Sequence, residues 1–381
     1  MRARSFACGG RLSNFALELR PGRASRCLTI LAMLNITVSP VVHFRSIVAA
    51  SVLAALVSAG RPPSASAQIY EAVGTRAQGM GGAFVAVADD ASGTWWNPAG
   101  LASGAFMSLI LEHGTSDFPK ETIIGPAQRD ANTSFAIAFP SLGLSYYRLR
   151  ISEIAPTSPT DAPAGDRQEG GTAVVRLSTV EISQFGSSVG QSIGQHLVLA
   201  STVKYVRAGR SLGTTTASGD LLDAAADLDV NTSGGGDFDL GAMAALGHLR
   251  LGVSVKHLLE PKFGDGDRLV LQRQARAGAA WTLSSPGLIS SITTAFDSDI
   301  LTTESALGDR RNLAAGVETW LKGKSVGMRA GFNMSTKGQK RTIGTLGASV
   351  SARGKVHVNG AWLFGSDDTR TGWSAGVSMT Y

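Results

Sequence analysis

Apolar residues recur at every second position through most of the chain after residue 104. In the segment 325–334, apolar side chains fill the even positions and small or polar ones fill the odd positions. The segment 355–364 follows nearly the same pattern. Successive side chains of a β-strand face opposite sides of the sheet, so this period of two predicts strands with one apolar face.

Fourteen segments carry a strand pattern, and the connections between them differ in length. They lie near residues 104–112, 132–140, 142–150, 175–188, 196–208, 237–246, 249–258, 271–283, 287–297, 310–321, 325–334, 342–352, 355–364 and 372–381. Every second connection is tight, such as Pro140-Ser141 and Gly247-His248, whereas the others are longer and polar, notably 151–174 and 209–236. Bacterial membrane barrels have short turns at one end and longer loops at the other, a sorting that a soluble β-sandwich does not need. We therefore predict an all-β fold, a transmembrane antiparallel β-barrel of about fourteen strands.

The last predicted strand is amphipathic and ends on an aromatic residue. Trp373, Ala375, Val377, Met379 and Tyr381 form its apolar face. At the edge of a soluble domain such a strand would invite aggregation, whereas closing a barrel removes the edge. It is similar to the final strand that the barrel-assembly machinery reads, so we expect that machinery to be a partner through the strand ending at Tyr381.

The N-terminal region predicts export. A short apolar run, Ile47–Val57, follows Arg45 and precedes Ala65-Ser66-Ala67, the arrangement of a cleaved signal peptide. We expect cleavage before Gln68 and an outer-membrane location. Either Met1 or Met33 can be the start; Met33 stands at a natural distance from the cleavage site.

The charge and the cysteine content of the chain are different once the predicted leader, residues 1–67, is set aside. The 381-residue chain has a formal net charge of +6, but residues 1–67 hold eight of its 35 Lys and Arg residues and one of its 29 acids. The remainder, with 27 basic and 28 acidic residues, gives no basis for nucleic-acid binding. Both cysteines, Cys8 and Cys27, also lie in the leader, which leaves no disulfide or thiolate chemistry in the mature chain.

The segment 72–101 carries the most specific motif. It combines closely spaced glycines, the acidic pair Asp89-Asp90 and the run Asn97-Pro98-Ala99-Gly100-Leu101. Glycines permit positive φ or close backbone approach, the acidic pair can cap a helix near Ala91, and Asn97-Pro98 is a helix-start signal. This stretch resembles the N-terminal signature of the FadL-like outer-membrane transport proteins and their PorV/PorQ-type relatives.

The resemblance implies a fourteen-stranded barrel plugged by a small N-terminal hatch. We expect three regions: residues 1–67 as a cleaved extension and signal peptide, 68–103 as a periplasmic-side hatch, and 104–381 as the barrel. In the hatch, ligand-binding or gating candidates are Gly79, Gly81, Gly82, Asp89, Asp90, Trp95, Trp96, Asn97 and Pro98. Lumen-facing polar candidates are Lys256, Glu318, Arg329 and Asn359. The alternative role for the hatch residues is simply to fold the plug.

The function that these features favour is passive transport of small hydrophobic molecules across the outer membrane. The alternative is a PorV-like binding or assembly component of a protein secretion system, in which case secretion-system proteins are the partners. Outer-membrane lipid is a partner in either case. No cofactor or metal is expected, since the histidines lack ligand spacing and Asp227-x-Asp229-x-Asn231 lacks the turn glycine of a calcium loop.

Enzyme activity is the least favoured function. Two G-x-S-x-G matches, centred on Ser188 and Ser374, are not followed by the helix that a nucleophile elbow requires.

Overall fold

A computed structural model describes residues 73–118, 127–156, 174–216, 220–264, 269–303, 309–338, 342–352, 355–365 and 370–381. The predicted leader 1–67 and its cleavage site lie outside the described residues. Among the described residues, no helix is long and apolar enough to cross a membrane.

Fourteen antiparallel strands form a closed barrel, as the alternation predicts. Each barrel strand pairs with the next barrel strand along the chain, and the last one closes on the first. The barrel strands are β1 (Ser108–Phe118), β2 (Ala127–Phe139), β3 (Leu142–Pro156), β4 (Val174–Ile193), β5 (Leu197–Thr216), β6 (Ser233–Leu246), β7 (Leu249–Lys256), β10 (Gln274–Ser284), β11 (Ile289–Asp299), β12 (Asn312–Leu321), β13 (Val326–Ser335), β14 (Thr342–Ala352), β15 (Val356–Gly365) and β16 (Thr371–Thr380). The first strand begins four residues later than predicted, and β4 and β5 extend to 20 residues each.

Alternation along each strand separates an outer from an inner face. In β13, Met328 and Phe332 are exposed on the outside, whereas Arg329 and Asn333 are buried in the lumen. The tight turns lie at one end of the barrel, together with the start of β1 and the end of β16. Ser141 and Gly247 adopt positive φ, at 65° each, in two of these turns. We call this the short-turn end and the opposite one the long-loop end.

Two short strands and a short helix near the long-loop end were not predicted from the sequence pattern. The strands β8 (Lys262–Phe263) and β9 (Leu269–Val270) pair with each other between β7 and β10. A helix, here α3 (Leu221–Ala226), follows β5, and its N-cap Asp220 accepts hydrogen bonds from the backbone of Leu222 and Asp223. Its apolar side packs against side chains of β2, β3 and β4.

Residues 73–103, the described part of the predicted hatch, lie in the lumen. This part contains the helices α1 (Thr75–Gly79) and α2 (Gly93–Trp96) and a 3-10 helix (Pro98–Ser103). Nearly all of its side chains are buried, and the largest hydrophobic cluster of the described residues consists mostly of hatch residues. The core of the molecule is therefore the contact between hatch and barrel wall.

Candidate gate and lumen site

The second half of the hatch is organised by Asn97. Its side chain accepts a hydrogen bond from Ala99 N at 3.1 Å, and Pro98 takes the first position of the 3-10 helix. The same side chain donates to Val85 O and, on strand β6, to Ala242 O, at 3.0 and 3.1 Å. The predicted start signal thus caps a helix and also ties the hatch to the wall.

The acidic pair acts differently from its predicted capping role. Helix α2 begins at Gly93, two residues beyond Ala91, with Ser92 as its N-cap and no side-chain hydrogen bond to the cap. Asp90 accepts a hydrogen bond from Ser92 N at 2.9 Å, whereas the carboxylate of Asp89 turns to a guanidinium. The prediction that both aspartates cap a helix is wrong for Asp89, because an opposite charge lies within reach.

That guanidinium belongs to Arg76 on α1, and it ties the hatch to the wall. It makes a two-point contact with Glu318 of β12, with Nε to Oε1 at 2.7 Å and Nη2 to Oε2 at 2.6 Å. Its Nη1 lies 2.6 Å from Asp89 and 2.9 Å from Asp90. Burial acts to lower the pKa of Arg76, but attraction to Asp89, Glu318 and Asp90 outweighs it and raises the pKa well above its ordinary value.

Three of the predicted lumen residues continue this network. Arg329 lies directly across from Glu318 in the register of β12 and β13, and its Nε donates to Glu318 Oε1 at 2.6 Å. Arg329 also donates to Ser349, which in turn donates to Asn359. Glu318, Arg329 and Asn359 therefore form one hydrogen-bonded chain with the hatch, although they come from three strands.

The fourth, Lys256, lies elsewhere. Its Nζ stands 3.0 Å from the ring centroid of Trp95, which also packs on Tyr147 with centroids 5.0 Å apart. Trp96 packs edge-on against Phe84 and donates to Val73 O at 3.1 Å. Both tryptophans are buried, so in this conformation they pack the hatch and do not present a stacking surface to a solute.

The backbones of hatch and wall also approach each other closely, at glycines on both sides. Gly81 and Gly82 adopt φ of 67° and 81°, which favours glycine. A Cβ on Gly331 of β13 would lie 2.3 Å from the backbone of Met80, and one on Gly316 of β12 would lie 2.4 Å from it. A Cβ on Gly79 would lie 3.1 Å from Gly347 of β14. Gly79, Gly81 and Gly82 were among the predicted hatch residues, whereas the wall glycines Gly316 and Gly347 were not singled out from the sequence. Gly331 was placed on the inner face by its even spacing with Arg329.

Wall side chains also satisfy the hatch backbone. The Asp297 carboxylate on β11 accepts hydrogen bonds from Phe84 N and Val85 N at 2.7 and 2.8 Å. Asn333 donates to Gly81 O at 3.2 Å, and Thr345 donates to Gly79 O at 3.1 Å. Sequence reasoning missed these three residues, because nothing in the strand pattern says which lumen side chain meets a non-regular backbone.

A cavity of about 290 Å³, bordered by several charged side chains, lies between the hatch and the wall at the short-turn end. Its lining includes Arg76, Asp90, Glu112, Trp320 and His357. It borders the ion network at Arg76, Asp90 and Arg329.

One part of the lumen is apolar, against the expectation of a polar inner face. Near the long-loop end, Ile151, Ile182 and Val206 project inward from β3, β4 and β5. They are covered by Phe263 and by Leu269 and Leu271 from the connection between β7 and β10. The expectation holds on β12, β13 and β15 and is wrong here, because the connection between β7 and β10 buries its own apolar side chains against these three strands.

The two G-x-S-x-G serines lie within strands. Ser374 belongs to β16, and Ser188 of β4 shares a hydrogen bond of 2.8 Å with Thr202. Neither stands on a strand-to-helix turn, so neither has the geometry of a nucleophile elbow.

No protein-family model matches the chain, and no curated protein sequence matches it significantly. Solved structures do match. The monoaromatic hydrocarbon channel CymD has a TM-score of 0.53 and 13% identity, covering 83% of this chain and 99% of its own. A TodX monoaromatic hydrocarbon channel mutant has a TM-score of 0.52 and 13% identity, covering 81% and 99%. A FadL homologue from Pseudomonas aeruginosa has a TM-score of 0.51 and 12% identity, covering 85% and 99%.

The chain has a FadL-like fold. The predicted resemblance is thereby confirmed for the barrel architecture. Assignment to the PorV/PorQ-type branch stays a prediction, as do the roles of the hatch residues in gating or ligand binding. Two of these neighbours are named as monoaromatic hydrocarbon channels.

Proposed function

We propose that this FadL-like barrel lies in the bacterial outer membrane and passes small hydrophobic molecules inward past its hatch. The observation that carries the proposal is the apolar cluster in the lumen near the long-loop end, where Phe263, Leu269 and Leu271 cover Ile151, Ile182 and Val206. In this proposal the covering connection moves aside, and a hydrophobic solute that replaces it against the wall gains about 25 cal/mol for each Å² of apolar area removed from water.

The outer face of the barrel supports the membrane location. Large apolar side chains such as Leu111, Val203, Met328, Leu346 and Val358 are more than half exposed, and they recur on strands around the barrel. Soluble proteins rarely expose contiguous apolar surface on this scale. An apolar outer band with polar residues inside is the arrangement of membrane barrels.

The hatch supplies the gate in this proposal. It closes the lumen through the Arg76–Glu318 ion pair and through backbone contacts at Gly316 and Gly331. The neighbours named as monoaromatic hydrocarbon channels support a small hydrophobic solute.

Uptake into cells tests the proposal. Bacteria with an intact outer membrane would express the protein, the variant Ile182→Asn with Val206→Asn, or no barrel, and the initial uptake of a labelled monoaromatic compound would be measured. We expect the protein to raise uptake several-fold and the double variant to lose that gain. Ile343→Asn is the matched control, since Ile343 is also buried in the lumen but lies outside the apolar wall. Heat-modifiable migration on gels would confirm that each barrel is folded.

Uptake equal to that of cells without the barrel would overturn the transport proposal. The PorV-like alternative would then predict secretion-system proteins that co-purify with the barrel and a loss of surface protein cargo on deletion.

A further inference from the structure

The cavity at the short-turn end is shared between the hatch and the wall. Arg76, Asp89 and Asp90 line it from the hatch. Glu112 of β1 and Arg329 of β13 line it from the wall. Its volume of about 290 Å³ is at the lower end of the roughly 300–1,000 Å³ of small-molecule sites. A solute bound in it would therefore contact the hatch and the wall at the same time.

Glu112 brings a buried carboxylate oxygen without a partner to this cavity. The residue is 5% exposed, and its Oε2 accepts no hydrogen bond from the part of the chain that the structure describes. Arg76, which also lines the cavity, is already paired with three other carboxylates. Burying a carboxylate is costly unless a positive group or a hydrogen-bond donor compensates it. Glu112 therefore offers an acceptor for a positively charged donor.

Two other side chains of the cavity carry nitrogens without a partner. Arg329 Nη2 and His357 Nε2 make no hydrogen bond with the described residues, and both side chains are more than nine-tenths buried. Arg329 is held in place by Glu318 and Ser349, to which its Nε and Nη1 donate. A carboxylate is the strongest common acceptor for a guanidinium group. This part of the lining therefore offers donors for a negatively charged acceptor.

The charges around the cavity are balanced in sign. Three cationic side chains and three carboxylates line it: Arg76, Lys324, Arg329, Asp89, Asp90 and Glu112. A simple ion of either sign would meet like charges as often as opposite ones. A molecule that carries one charge of each sign can instead place each charge beside its opposite. Ile110 and Trp320 add apolar surface to the same lining.

We propose that this cavity binds a small aliphatic amino acid as its zwitterion, with the ammonium group at Glu112 and the carboxylate at Arg329. The aliphatic side chain would lie against Ile110 and Trp320. Because the ligand contacts both hatch and wall, its binding favours the docked hatch over the released one. The short-turn end is the periplasmic end of bacterial membrane barrels, so the amino acid would come from the periplasm. The inference does not depend on which solute the barrel transports.

Isothermal titration calorimetry of the detergent-purified full barrel tests this inference. The probes are L-leucine, 4-methylpentanoate, which lacks the amino group, and 3-methylbutylamine, which lacks the carboxylate. We expect saturable binding of L-leucine at millimolar concentrations or below. Each analogue should bind at least tenfold more weakly, because one of its two charge-assisted contacts is missing.

Glu112→Gln keeps the shape of the side chain but removes its charge. L-leucine should bind this variant at least tenfold more weakly and should lose its advantage over 4-methylpentanoate, which has no ammonium group for Glu112 to accept. Glu153→Gln is the matched control, since Glu153 is also a buried carboxylate of a barrel strand but does not line the cavity. L-leucine should also slow proteolysis within residues 73–103 in the unchanged protein and in Glu153→Gln, but not in Glu112→Gln.

Three results would overturn the inference: no saturable binding of L-leucine, equal binding of either analogue, or undiminished L-leucine binding by Glu112→Gln. Equal binding of an analogue would indicate a site for a simple ion. Binding is measured on purified barrel and hydrophobic uptake is measured in cells, so a failure of amino-acid binding and a failure of transport are distinguishable.

Discussion

Arg76 of the hatch and Glu318 of strand β12 face each other through two hydrogen bonds, of 2.7 and 2.6 Å, although 242 positions separate them. Glu318 is buried, and it also accepts from Arg329. One carboxylate therefore holds two guanidinium groups, one on the moving part and one on the fixed part of the proposed gate.

Glu318→Gln should loosen the hatch. The neutral amide leaves Arg76 and Arg329 close together without their shared counter-charge, and breaking a buried ion pair costs about 3–5 kcal/mol. We expect larger and longer conductance events in planar bilayers and faster proteolysis within residues 73–103. Glu181→Gln is the control, since it also removes a carboxylate paired with two arginines but lies on the outer face. Equal conductance for the two variants would argue against a gating role for Glu318.

Gly331→Ala should displace the hatch through sterics alone. Its Cβ would lie 2.3 Å from Met80 C and 2.4 Å from Gly81 N, and neither backbone atom can turn away as a side chain would. Gly360→Ala on β15 is the matched control, because its nearest neighbour would be Trp362 at 3.7 Å. We expect the hatch to be more sensitive to protease in Gly331→Ala than in the unchanged protein. In Gly360→Ala the sensitivity should not increase, and both barrels should remain closed. A protected hatch in Gly331→Ala would show that the wall can shift to admit a methyl group.

Trp95→Leu should weaken hatch docking by removing the ring that Lys256 and Tyr147 contact. A cation above a desolvated tryptophan contributes about 2 kcal/mol. The expected result is a lower urea midpoint for release of the hatch. Release would be monitored through the accessibility of a cysteine introduced by Ala77→Cys. Trp362→Leu removes an outward-facing tryptophan and should leave that midpoint unchanged. If both variants lowered the urea midpoint, the effect would belong to the barrel and not to the hatch.

Strand positions were predictable because the wall separates two environments. Alternation identified all fourteen barrel strands, and the same parity placed Glu318, Arg329 and Asn359 on the inner face. The ion pair of Glu318 with Arg76 was not predictable, since nothing local to either residue encodes their proximity. The Asp89-Asp90 pair has two local explanations, capping and ion pairing, and only the approach of α1 selects the second for Asp89.

The apolar lumen wall was missed for a related reason. Ile182 and Val206 lie in segments whose two faces are both partly apolar. The alternation therefore does not show which face points to lipid and which to the lumen. Their environment depends on the connection that carries Phe263 and Leu271, which folds inward. Helix α3 was missed because its six residues are too few to form a stable helix alone. It is stabilised by packing on β3 and β4.

Tyr381→Ala should reduce the amount of barrel assembled in cells without changing the folded barrel. The Tyr381 backbone pairs with Met107 in both directions, at 2.8 and 3.1 Å, and closes β16 on β1 without help from the ring. The ring itself lies outside this ladder, 3.8 Å from Lys355 Nζ. If the assembly machinery reads the terminal aromatic, membrane-inserted protein should fall several-fold, while refolding from urea into detergent micelles proceeds as for the unchanged chain. Lys355→Gln removes the contact with the ring but keeps the aromatic terminus, and it should assemble normally. A refolding defect in Tyr381→Ala would instead assign the ring to barrel stability, because the assembly machinery is absent from that experiment.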